Sequence, residues 1–157
     1  MYFWENDYAR ALDWAEQIKL HPQNGKQSIK EPSVVGAVLC LGQCLDLLDI
    51  SNLQLLKISY DFLLKQKGID SIPKNKGNGL IRDLDCAVIQ LLMVLQDENN
   101  QKKDFYDSVR GVFFEGNLVY PTAGFNERNH IQICVRNPNC IKAYFVPREI
   151  DKSFTQV

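Results

Sequence analysis

The stretch "HIQICVR" constrains the chain more than any other segment. In it Ile131, Ile133 and Val135 fall on one face while His130, Gln132 and Cys134 fall on the other, a two-residue period that an extended strand satisfies. Earlier segments repeat at helical spacing instead: Tyr8, Ala11, Leu12, Ala15 and Ile18; then Leu53, Leu56, Tyr60, Leu63 and Leu64; then Leu84, Ala87, Val88, Leu91 and Leu95. A chain carrying both periods belongs to the α+β class, with helices inserted into and packed on a mostly antiparallel sheet.

The punctuation between these segments is clear. Asn6 or Asp7 caps the first helix and His21-Pro22 stops it, before a polar loop over 23–28 that contains Gly25. "PSVVGAVLCLG", bounded by Pro32 and Gly42, reads as a strand covered on both faces. Ser51 and Gln54 fit a capping box for a second helix ending at Gly68. "GIDSIPKNKGNG" then reads as a mobile connection, because its glycines and lysines match neither a P-loop nor a dinucleotide fingerprint. A third helix runs from about Leu80 and ends in "DENNQKKD". "GVFFEGNLVYP" reads as two short extended pieces around Gly116-Asn117, and Asn137-Pro138-Asn139 turns the chain into a last strand, "CIKAYFVP". With no internal repeat and no linker, residues 1–157 read as a single domain.

A net charge of -1 and a pI near 6.1 leave no basic excess of the kind that drives nucleic-acid binding. No apolar run is long enough to cross a bilayer. Five cysteines, an odd number at irregular spacing behind no apolar leader, read as reduced thiols in the cytoplasm. The spacings Cys40/Cys44 and Cys134/Cys140 suit zinc poorly, and only His21 and His130 could supplement them, so these cysteines read as small hydrophobes without a metal.

The leading candidates for chemistry are His130 and Gln132, which the strand period aims to one side, where they can converge on a ligand. The alternative is an edge strand whose polar face meets water. Asp85, among apolar neighbours, either needs a hydrogen-bonding partner or flanks an exposed side with Arg82. Glu115 and Glu127 read as solvated charges. Two histidines do not build a Ser-His-Asp arrangement, and nothing marks Cys134 as an activated thiol.

"YFWENDYARALDWA" resembles the segment after the second motif of the ADP-ribosyltransferase superfamily, where a Tyr-Phe strand leads into an acid-capped helix. It is most similar to an uncharacterised bacterial group of that fold, and "EPSVVGAVLCLGQCLDLLD", "LDCAVIQLL" and "GFNERNHIQICVRNPNCIKAYFVPRE" extend the resemblance over nearly the whole chain. It implies an ADP-ribosyltransferase-like fold whose first-motif strand, with its His-Gly pair, would lie upstream of Met1, making this an N-terminally incomplete copy. It further implies transfer of ADP-ribose from NAD to an unidentified macromolecular acceptor by a toxin-like enzyme. Tyr2 would stack on nicotinamide, with Phe3 beside it and Asn6 capping the helix at the pocket. His130 and Gln132 would orient the ribose, where the family's usual residue is glutamate. The alternative is a non-catalytic interaction module on the same fold, whose bared strand edge invites self-association or an antitoxin-like partner.

Overall fold

A computed structural model describes residues 1–22, 29–77, 81–99, 106–148 and 153. The fold is mixed α+β with sheets that are antiparallel at all but one pairing. In chain order the elements are β1 (Tyr2–Trp4), α1 (Tyr8–Leu20), β2 (Gly36–Leu39), β3 (Cys44–Asp46), α2 (Ile50–Lys67), α3 (Asp83–Asn99), β4 (Ser108–Phe113), β5 (His130–Val135) and β6 (Ile141–Phe145). β1, β5, β4 and β3 form one sheet in that order, and β2 pairs with β6 in a second.

Register decides what each face of the larger sheet meets. Tyr2, Cys134, Val109 and Leu45 stand in one row across the strands. Leu45 is fully buried against Leu92 and Met93 of α3, so this face is the helical side. Phe3, Ile133, Arg110 and Asp46 form the next row, on the opposite face. Ile133 and Val135 pack there with Cys140, Phe3, Leu39 and Ile141, so the small sheet covers that side. A third cluster, Leu63, Ile72 and Val88, joins α2 to α3.

Local signals fixed the helix ends. The Asp7 side chain accepts from the Arg10 N–H and caps α1, whose last residue precedes His21. α2 ends at Gly68, whose positive φ of 74° is a conformation glycine reaches without strain. Its start differs from the capping box at Ser51 and Gln54: Asp49 is the cap and accepts from the Ser51 N–H. Where it is described, the connection after Gly68 is anchored at two points. Ile72 is buried, and the Asn75 side chain accepts from the Leu84 and Asp85 N–H groups at the head of α3. That helix begins at Asp83, while Leu80 and the loop over 23–28 lie outside the described residues.

The strands depart further from expectation. The run containing β2 is not covered on both faces, because a two-stranded sheet leaves one side open and Val35 and Val38 are exposed. β5 is an interior strand rather than an edge. β5 and β6 do not pair with each other, since the 3-10 turn at Pro138–Cys140 sends β6 to β2. Only the first three residues of "GVFFEGNLVYP" are strand; beyond Gly116 a single bridge joins Leu118 to Asn126. No helix of the described residues is long and apolar enough to cross a membrane.

Candidate functional site

Antiparallel pairing sets Tyr2 opposite Cys134, Phe3 opposite Ile133 and Trp4 opposite Gln132. The opening aromatics therefore lie directly beside the late strand. Against them opens a cavity of about 810 Å³, bounded by β1 and the turn after it, by α1, and by the small sheet. Tyr2, Phe3 and Asn6 all stand on its wall, with Trp4, Trp14 and Phe145. Asn6 holds a positive φ of 49° in the turn that carries the chain from β1 into α1, a conformation asparagine tolerates better than most residues. The helix cap itself is Asp7.

His130 and Gln132 share a face, as their spacing requires, but they do not line this cavity. From β5 only Ile133 reaches it, because the register that faces Ile133 toward the small sheet turns His130 and Gln132 to the other side. His130 is 6% exposed, and its ring stacks on Phe113 at 5.6 Å between centroids with an interplanar angle of 12°. Trp4 packs against it at 6.3 Å. Its Nδ1 lies 2.8 Å from the Arg128 carbonyl oxygen. That oxygen can only accept, so Nδ1 carries a proton, while Nε2 is buried and has no hydrogen-bond partner among the described residues.

The electrostatics of the surroundings are mostly paired off. Glu115 is a partly buried ion-pair partner of the buried Arg10 rather than a fully solvated acid. Asp13 joins Arg10 and Arg128, each at 3.0 Å. Glu127 is exposed and accepts from the Asn117 backbone N–H at 3.3 Å. Asp85 has both partners its position asked for, Asn75 at 2.8 Å and Arg82 at 3.3 Å. The Tyr2 phenol is held above its usual range, first by charge on the Cys134 sulfur, then by burial and by a hydrogen bond with that thiol. Burial likewise pushes the Cys140 thiol up. All five cysteines are free, and no group of three or more His, Cys, Asp or Glu among the described residues could hold a metal.

Trp14 and Arg10 are the residues that sequence reasoning missed. Trp14 packs on Trp4 at 5.9 Å, and the Arg10 guanidinium lies 5.8 Å from the Trp14 ring. Trp14 stands three residues beyond Ala11, and that helical spacing was the available signal. The walls carry two carboxylates, Glu5 and Asp7, and no lysine or arginine side chain. They can hold a flat ring or an aliphatic group between aromatics, and among the described residues they offer an anion no lysine or arginine side chain. No family model, curated protein or solved structure matches the chain.

Proposed function

We propose that the chain is an ADP-ribosyltransferase-like protein whose aromatic cavity binds NAD by its nicotinamide and adjoining ribose. The observation that carries this reading is the pairing of β1 with β5, which sets Tyr2 and Phe3 on the wall of a cavity large enough for such a group. The nicotinamide ring of NAD is a flat cation, and a wall of aromatic faces with the Asp7 carboxylate and no lysine or arginine side chain among the described residues suits it. The diphosphate finds no arginine or lysine on this wall and remains in solvent, so affinity is weak. In the catalytic form of the reading, nicotinamide leaves and ADP-ribose passes to a macromolecular acceptor, with His130 and Gln132 orienting the ribose.

One observation favours the alternative, a binding module without transfer. His130 is stacked, buried and off the cavity wall, and Gln132 is off it too, so neither is placed to touch a ribose held against Tyr2.

Saturation-transfer NMR with millimolar NAD tests the binding. The expected result is transfer to the nicotinamide protons in preference to the adenine protons, weakened in Tyr2→Ala. Absence of transfer to any NAD proton overturns the reading. Release of free nicotinamide from bound NAD, abolished in Gln132→Ala, separates the catalytic form from the binding form.

A further inference from the structure

The open edge of β1 carries a second kind of recognition, which goes beyond the dinucleotide reading and does not depend on it. β1 is the terminal strand of its sheet. Met1 exchanges backbone bonds with Val135, and the Glu5 N–H donates to Ile131. Antiparallel pairing uses alternate residues, so the N–H and C=O groups of Tyr2 and Trp4 point away from β5. No strand of the described residues pairs with that side.

The cavity runs along this edge. Met1, Tyr2, Phe3 and Trp4 all line it. A strand seen face-on shows alternate residues, and consecutive ones reach a single wall only when the strand is seen from its side. The facing wall is built the same way, from the consecutive residues 33–37. A flat small molecule in such a slot would use the aromatic walls and leave the four outward backbone groups of Tyr2 and Trp4 to water. An extended backbone satisfies both.

We propose that this slot takes an extended peptide strand of a partner protein, neutral or basic in sequence, which adds to the free edge of β1. The charge preference follows from Asp7, which no lysine or arginine side chain on the described wall offsets, and from Glu5 and Asp46, two carboxylates that share the single guanidinium of Arg110. Tyr2, Tyr8 and Phe145, all about half exposed or more, supply apolar contact for alternate side chains of the incoming strand.

The test is fluorescence anisotropy of labelled, end-blocked hexapeptides with the full chain, at physiological salt so that unspecific attraction is screened. The probes are (Lys-Val)3, (Thr-Val)3, (Glu-Val)3, and (Lys-Val)3 methylated on every valine nitrogen. The expected result is micromolar binding of the first two, at least tenfold weaker binding of the acidic peptide, and a similar loss on methylation. Val35→Lys, at an exposed position of the facing wall, should shift the preference toward (Glu-Val)3 without a risk to folding. Ala11→Phe on the α1 wall should block the slot. No peptide binding at millimolar concentration, or equal binding of the methylated peptide, overturns the proposal. Concentration-dependent dimerisation that excludes the peptides assigns the edge to a second copy and overturns it too. Peptide binding without NAD binding would remove only the dinucleotide reading, and the reverse result would remove only this one.

Discussion

Arg110 of β4 reaches across β5 to hold Glu5, beyond the end of β1, through two prongs: Nη2 to Oε2 at 2.7 Å and Nε to Oε1 at 3.0 Å. The same guanidinium donates to Asp46 of β3 at 2.9 Å. One side chain thus ties together the ends of a four-stranded sheet. Its pKa is raised further, first by the hydrogen bond to Glu5, and it stays charged at any pH the protein meets.

Arg110→Ala leaves two half-buried carboxylates facing each other without a cation. We expect a loss of about 1–3 kcal/mol in urea denaturation, between the values for exposed and for buried pairs. Arg110→Lys should recover only part of it, because an ammonium cannot form the fork.

Gly42 has a positive φ of 59°, and a Cβ there would lie 2.3 Å from an Asp107 carboxylate oxygen. Gly42→Ala is therefore expected to cost about 2 kcal/mol, from the left-handed backbone and from displacement of that carboxylate. Thermal melting measures it, and Gly68→Ala, with open space around the added carbon, should show the backbone cost alone.

Asp107 itself gives a pH signature. The Asn137 amide and then the Gln43 N–H hold its carboxyl below the usual range. A depressed carboxyl contributes stability above the unfolded-state pKa of about 4 and loses it as pH falls through the lower folded value. The melting-temperature difference between the wild type and Asp107→Ala should be flat near neutrality and shrink below about pH 4.

Tyr2 titrates in the opposite sense. Its raised pKa means that the neutral phenol is favoured in the folded chain below about pH 10, and that this preference is lost as pH rises through the folded value. Phenolate absorbance should show one tyrosine ionising late. Cys134→Ser should bring it back toward the ordinary value.

His130→Ala opens a gap between Phe113 and Trp4, and about 3 kcal/mol of stability should go with it. Because the ring is off the cavity wall, NAD saturation transfer at a temperature where the variant remains folded should be unchanged. A large loss of transfer there would place His130 at the ligand.

The helical half of the molecule was legible because its signals are short-range. Asp7, His21 and Gly68 act on residues within one turn of themselves. Asp49 won over Ser51 as the cap of α2 because both lie within reach of the same orphan N–H groups, and spacing alone does not choose between them. The alternation in β5 was also legible, but not the layer that each of its faces meets. That depends on β6 pairing with β2, about a hundred residues earlier in the chain, and no local pattern encodes it. The separation of His130 and Gln132 from the cavity follows from this one long-range choice. The exposure of Val35 and Val38 has the same origin, since an apolar run reads alike in a covered sheet and in a two-stranded one.

The partnership of β1 with β5 also sets a timetable for the molecule's birth. At ribosomal speeds of about 5–20 residues per second, roughly 6–25 s separate the synthesis of Trp4 from that of Gln132, the residue it will face. Until then the Tyr-Phe-Trp tripeptide lacks that partner, and the nascent chain presents three adjacent aromatics to whatever chaperone waits at the tunnel exit.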